Sequence, residues 1–415
     1  MIKQENIDRI ISDVSIRDVA IDEGITFSKE RGGKLWACCP FHKENTPSFF
    51  VDTGTNTWKC YGGCHSGGNV ISLYRKLKND LPFPIACKEL AKKYLNEDIE
   101  DDYKPSKEDE EKQKEKESLQ IILSYAQEFY VQCIHEVNPA ANKARETVRK
   151  RWGADAIERF GIGYAPRDGF IEWAMRKGLD FDLLEQVGLI GIGERGKYAM
   201  LRDRYTIPIY DKMSNVIGFT ARTMSDDKDI CKYLNLKNSL VYAKDKSVFG
   251  INFAQKEARL KNKFYLVEGA PDVVKLQSLE ILNTVASLGG AWTENQLKQL
   301  YHISHTVTFI PDADTLKPGN EWPAGTANVF ANGREALAAG FTVNVREIPI
   351  DYPAPKKEDP DSWIVDKAHF QQMKEEEFIY WFCRRRYWPT ADDIEQMTTE
   401  DRLKAIADIC SLLMM

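Results

Sequence analysis

Phe264-Tyr265-Leu266-Val267-Glu268-Gly269-Ala270-Pro271-Asp272 is the stretch that decides how the second half of the chain is read. Four apolar residues have the length of a short buried strand, Glu268-Gly269 ends the run, and a helix is expected after Pro271. Asn283-Thr284-Val285-Ala286-Ser287, His305 to Ile310 and Phe341 to Glu347 read as further strands. A second helix is expected to open at Thr293, whose spacing to Gln296 fits a capping box, and a third to lie near Ala327–Ala339. Strand and helix in alternation predict a parallel α/β sheet.

Acids follow these strands in order: Glu268, then Asp312 and Asp314, then Asp359 and Asp361. Side chains at the carboxyl ends of parallel strands face the crevice where such sheets bind ligands. Carboxylates gathered there repel one another and persist together only beside cations. Oxygen-only donors select Mg²⁺ or Mn²⁺, ions that keep waters and bridge to phosphates. Each motif alone is the kind that usually marks a solvated loop; three in sequence, each beyond a strand, predict metal-dependent phosphoryl chemistry.

The chain has 415 residues, which at about 150 per domain suggests two or three domains. Hydrophobic and charged fractions of 43% and 29% are those of a soluble globular protein. No apolar run approaches the ~20 residues of a membrane span, and Met1-Ile2-Lys3-Gln4-Glu5-Asn6 lacks the apolar core of an export signal. A cytoplasmic protein with reduced cysteines is therefore expected. Net charge is −6, so any nucleic-acid surface must be a local basic groove.

Nine cysteines include two short chelating pairs, Cys39-Pro40-Phe41-His42 and Cys60-Tyr61-Gly62-Gly63-Cys64, separated by seventeen residues. Cys39, His42, Cys60 and Cys64 have the donor types and spacing of a closed tetrahedral Zn²⁺ site. Cys38 and His65 flank the set as competing donors. Residues 1–95 form the expected zinc-binding domain, 96–117 a charged linker, 118–262 a mixed α+β subdomain that begins with a helix over Ser118–Ala140, 263–365 the parallel sheet, and 366–415 a helical tail. In the subdomain, Tyr205–Tyr210 and Val216–Phe219 read as strands, and Arg202, Arg204, Arg222, Lys232 and Lys244 are the cations available to phosphates. Arg384-Arg385-Arg386, beside Trp381, Phe382, Tyr387 and Trp388, reads as a packing surface.

Two stretches carry a family resemblance. Cys39-Pro40-Phe41-His42-Lys43-Glu44-Asn45-Thr46-Pro47-Ser48-Phe49, with Trp58-Lys59-Cys60-Tyr61-Gly62-Gly63-Cys64-His65-Ser66-Gly67-Gly68, resembles the zinc signature opening bacterial-type DNA primases. Three residues separate the last two cysteines where the family commonly has two. The acid motifs, together with Asn283-Thr284-Val285-Ala286-Ser287-Leu288-Gly289-Gly290, resemble the topoisomerase–primase (Toprim) domain in its primase form. Departures there are Ala270-Pro271 and an insertion from Thr315 to Pro323.

The resemblance implies a zinc ribbon that contacts template, a basic subdomain binding template or nucleotide through Arg202, Arg204, Arg222, Lys232 and Lys244, and a Toprim sheet. It also implies Mg²⁺ or Mn²⁺ on Glu268, Asp312, Asp314, Asp359 and Asp361, with Asp272 orienting its loop. The expected activity is synthesis of short RNA primers from ribonucleoside triphosphates on single-stranded DNA. The tail offers no room for a helicase and no Gly-x-x-x-x-Gly-Lys-Ser/Thr loop occurs, so a separate helicase docking on the C-terminal helices is the expected partner. The rival readings are a Toprim nuclease or topoisomerase and a non-catalytic zinc-dependent single-strand binder.

Overall fold

The structure, a computed structural model, describes residues 2–42, 44, 46–62, 66–78, 81–99, 107–194, 196–225, 227, 229–301, 303–387 and 397–414. It divides into two compact units, Met1–Glu111 and Lys112–Met415. In the first, α1 (Gln4–Asp13) and α2 (Ile16–Asp22) precede five antiparallel strands in sequential order: β1 (Lys29–Arg31), β2 (Lys34–Ala37), β3 (Phe49–Asp52), β4 (Thr57–Cys60) and β5 (Gly67–Asn69). α3 (Val70–Leu77) and α4 (Phe83–Leu90), the latter prolonged by a π-helical turn to Leu95, complete the unit. Ser15 and Asn69 cap α2 and α3 by accepting from the backbone N–H of Asp18 and Ser72. Alternation along β3 sends Phe49 and Val51 into a core with Ile10, Trp58 and Leu73, while Phe50 packs on Trp36 across the sheet.

The expected linker is only partly irregular. Residues 100–106 lie outside the described residues, and at Lys107 the chain enters α5 (Lys107–His135). Glu- and Lys-rich sequence is good helix former, and here it runs directly into an amphipathic segment that is anchored by packing. α5 also stops short of Ala140. Asn138 caps a new helix, α6 (Pro139–Trp152), with Pro139 in its first turn and Ala141 N–H donating to Asn138 Oδ1 at 2.8 Å.

α7 (Ala156–Phe160), β6 (Gly163–Ala165), α8 (Phe170–Arg176), α9 (Phe181–Gln186) and the hairpin β7 (Ile190–Gly193)–β8 (Gly196–Ala199) follow. β9 (Arg204–Tyr210), β10 (Val216–Thr223) and β11 (Tyr233–Asn235) form an antiparallel sheet in the order β11-β10-β9-β6. The second sheet then alternates with helices as the sequence predicts. α10 (Ile251–Lys261), β12 (Phe264–Val267), α11 (Ala270–Ser278), β13 (Thr284–Ala286), α12 (Glu294–Tyr301), β14 (Thr306–Phe309), α13 (Ala324–Ala338) and β15 (Thr342–Arg346) come in turn. Thr293 and Gln296 make the expected capping box at the start of α12.

Strand order is β13-β12-β14-β15-β16, with β16 formed by Glu375–Glu377, and the sheet is parallel except for that last strand. Phe264 and Leu266 face one apolar cluster with Val307, Phe309 and Val343. Tyr265 and Val267 face the other, with Ala286 and Ile310. Burial on both faces explains the unbroken apolar run at Phe264–Val267.

The tail is not wholly helical. After α14 (Pro360–Trp363) and α15 (Lys367–Gln372), Glu375–Glu377 forms β16, antiparallel to β15, before α16 (Phe378–Arg386) and a closing helix, Thr399–Leu413. Three glutamates in a row carry little strand propensity. They are held at the edge by ion pairs, Lys263–Glu375 at 2.6 Å and Arg384–Glu376 at 2.7 Å. Arg384 and Arg385 also pair with Glu347, so two residues of the tail's basic run bind the sheet. Trp388 lies outside the described residues. Among the described residues no helix is long and apolar enough to cross a membrane.

Candidate active site and zinc centre

β12 lies beside β14, with Phe264 opposite Val307 and Leu266 opposite Phe309, so Glu268 and Asp312 leave adjacent strand ends. Asp359, as the N-cap of α14, reaches the same place from beyond β15. A cavity of about 260 Å³ is lined by Glu268, Asp272, Asp312 and Asp359, and also by Arg151, Lys232 and Tyr233. Asp314 lines an adjoining recess with Asp312, accepting from Gly325 N–H at 3.0 Å and from Lys357 Nζ at 2.7 Å. A Cβ on Gly325 would collide with the Asp312 carbonyl oxygen, so only glycine lets α13 start this close to the acids.

Crowding leaves its mark on the acids. Burial raises the pKa of Glu268; the hydrogen bond from Asn328 opposes this and the charge of Asp314 adds to it. Asp312 is pushed up to about 7, chiefly by burial and then by Glu268, against the pull of Lys357. Asp272 is held well above its ordinary range by burial and by Asp312, Asp359 and Asp361. Its oxygens accept from the backbone N–H of Gly269 and Asp361, joining the Glu268 turn to the Asp359 turn. Among the described residues Asp312 Oδ1 is buried without a hydrogen-bond partner. Mutually repelling carboxylates with an orphaned oxygen fit a hard divalent cation.

Two of the expected residues are engaged by the protein itself. Asp361 accepts from Arg151 Nε at 2.6 Å and Trp152 Nε1 at 2.5 Å, so protein donors take both oxygens and it does not line the cavity. Arg204 is buried, and its guanidinium donates to the carbonyls of Ala221 and Lys232, inside the antiparallel sheet rather than toward phosphates. Burial lowers its pKa. β9 is buried on both faces from Arg204 through Ile209, and a basic residue gives no warning of it.

The remaining cations differ in reach. Lys232 lines the cavity, and Lys244 is exposed with Nζ 3.3 Å from where a Cβ on the cavity residue Gly289 would stand. Arg222 lies 5.9 Å from the ring centres of both Tyr205 and Tyr233. Arg202 is exposed over Tyr198 and is not among the lining residues. Sequence reasoning missed Arg151 and Lys357. The first ends a basic run, Arg149-Lys150-Arg151, in the last turn of α6; the second lies two residues before Asp359.

In the first unit the donor atoms of Cys39, His42 and Cys60 all lie within 4.8 Å of one another. Cys64 and His65 lie outside the described residues, and Cys38 is exposed. Two thiols and an imidazole at this spacing fit Zn²⁺. Glu44, also missed, makes a 2.9 Å contact with His42 Nε2 and so orients the ring, as carboxylates behind metal-bound histidines do. Burial would raise its pKa, but hydrogen bonds from Ser48, from the Cys39 and Ser48 amides and from His42 bring it down to about 2. A Cβ on Gly62 would stand 2.6 Å from both Glu44 Oε2 and His42 Nε2, so a side chain there would displace this pair.

Asp312 sets a pH dependence of defined sign. Its folded-state pKa of about 7 exceeds the ordinary 3.8, so between those values the native state holds a proton that the unfolded chain releases. Stability contributed by Asp312 therefore falls as pH rises from about 4 to 7. In melting curves of metal-free protein, Asp312→Asn is expected to gain on the parent as pH rises from about 4 to 7. A constant difference between the two proteins would contradict the assigned crowding.

Residues 2–107 match the CHC2 zinc finger, and residues 130–255 match the DNA primase catalytic core, N-terminal domain. The chain belongs to the bacterial DNA primase family. It is 33% identical to a DNA primase of Pseudomonas putida over 377 residues, which is 88% of this chain and 53% of that one. The crystal structure of the zinc-binding and RNA polymerase domains of the Aquifex aeolicus primase matches with TM-score 0.55 and 26% identity, over 97% of this chain and 95% of that one. A DnaG primase catalytic domain bound to single-stranded DNA matches with TM-score 0.55 and 26% identity, over 68% and 90%. The chain thus spans about half the length of its curated relative from Pseudomonas putida.

Proposed function

We propose that the chain synthesises RNA primers on single-stranded DNA, joining ribonucleoside triphosphates as a DNA-directed RNA polymerase. The observation that carries this reading is the cavity in which Glu268, Asp312 and Asp359 face Arg151 and Lys232. The 3′-hydroxyl of one nucleotide attacks the α-phosphate of the next and pyrophosphate leaves. Mg²⁺ or Mn²⁺ held by Glu268, Asp312, Asp314 and Asp359 would supply Lewis-acid stabilisation of the phosphoryl charge. Lys232 and Arg151 neutralise triphosphate or template phosphates, and Arg151 is fixed for this by Asp361, Tyr205 and Tyr233. Asp272 holds the two acidic turns in register.

Template contact by the zinc unit has support in an exposed ring, Tyr61, lying 5.7 Å from Phe50, with Lys59 over Tyr61 and Lys34 over Phe50. Bases stack on such rings while lysines meet the backbone. A separate helicase docking on the closing helix, where Leu403 and Ile406 are exposed one turn apart, belongs to the same proposal.

The test is primer synthesis across a library of single-stranded templates with ribonucleotides and Mg²⁺ or Mn²⁺. Labelled RNA products are expected; cleavage of template without synthesis would instead favour a Toprim nuclease. Among cations, Lys232→Ala is expected to weaken DNA binding across all sequences and to reduce the salt slope by about 1. Arg204→Ala should lower the melting temperature, because it removes a guanidinium that bonds the carbonyls of Ala221 in β10 and of Lys232 just before β11. Equal salt slopes for Lys232→Ala and parent would remove Lys232 from the interface.

A further inference from the structure

Lys357 bridges Asp312 and Asp314. Its Nζ lies 2.8 Å from Asp312 Oδ2 and 2.7 Å from Asp314 Oδ1. Backbone geometry brings it there. Ala313 N–H donates to the Glu358 carbonyl at 2.8 Å, and Glu358 N–H donates to the Ala313 carbonyl at 2.9 Å, an isolated antiparallel bridge. With side chains alternating on either side of that bridge, Lys357 and Asp359 fall on the same side as Asp312 and Asp314. The lysine side chain is 56% exposed whereas those of Asp312 and Asp314 are 9% and 13% exposed. Its stem can therefore swing outward without unpacking any core.

We propose that Lys357 is a tethered cation that holds the Asp312–Asp314 position in the metal-free chain and is displaced when a divalent ion binds. The inference rests on reading those acids as metal ligands and adds the competitor that sets their affinity. While the ammonium is seated, the binding-competent form is a minority. The apparent dissociation constant is raised by the inverse of its population, about ten-fold if one molecule in ten is open. The ion pair also keeps the acidic turns together before metal arrives.

Mn²⁺ binding to the full chain, followed by electron paramagnetic resonance and calorimetry, tests this directly without an activity assay. Lys357→Ala and the better space-filling Lys357→Met are expected to bind Mn²⁺ about ten-fold more tightly than the parent, and Lys357→Arg to stay within a few-fold of it. Without metal, both neutral variants should melt below the parent, and saturating Mn²⁺ should close that gap. Equal Mn²⁺ affinity in the parent and in a folded neutral variant would overturn the displacement while leaving the metal reading intact. No Mn²⁺ binding by either folded protein would overturn both.

Discussion

Replacing Asp312 with alanine is expected to lower primer synthesis by about 10³-fold, the scale of losing one preorganised electrostatic group at a charge-developing centre. Asp312 leaves β14 beside the end of β12 and so next to Glu268, and it contacts Lys357. One of its oxygens has no protein partner among the described residues. The fold should tolerate the change, because removing a carboxylate relieves repulsion on Glu268, Asp272 and Asp359. DNA binding should persist, since phosphate contacts are assigned to lysine and arginine. Asp361→Asn is the informative contrast. It would leave the half-buried Arg151 beside a neutral partner, lowering the melting temperature and synthesis together. Primer yield near that of the parent in a folded Asp312→Ala chain would remove this cavity from the chemistry.

The parallel sheet was legible because its strands are buried on both faces and stand out as apolar runs closed by acids. Phe264–Val267 is found with the bounds read from the sequence, and the Thr293–Gln296 capping box is present. Which acids face the cavity was less legible, because donors distant in sequence decide it. Asp361 is claimed by Arg151 and Trp152, both more than two hundred positions away. Arg204 shows the same limit: composition marks it as a cation, while β9 is buried on both faces and encloses it. Strand β16 was hidden by its three glutamates, whose strand state depends on Lys263 and Arg384. Lys357 was missed because its role follows from one bridge between Ala313 and Glu358, which no local pattern announces.

Zinc removal should have the other large effect, and it should be confined to the first unit. The strands of that unit are three or four residues long, below the usual strand length, and such strands hold poorly alone. Cys39 follows β2 and Cys60 ends β4, so one ion bonded to both fastens strands that are not hydrogen-bonded neighbours, with β3 between them. Structural Zn²⁺ contributes on the order of 10–16 kcal/mol of apparent binding free energy at neutral pH, comparable to the whole stability of a domain. Chelation, or Cys60→Ser, is therefore expected to abolish amide-exchange protection in β2 to β5 while β12, β14 and β15 stay protected. Glu44→Gln should weaken zinc by about 10–100-fold, because it alters the carboxylate that orients His42. Unchanged protection in β2 to β5 after the metal is stripped would mean that the core of Phe49, Val51, Trp58 and Leu73 suffices, and the ion would then be no structural element.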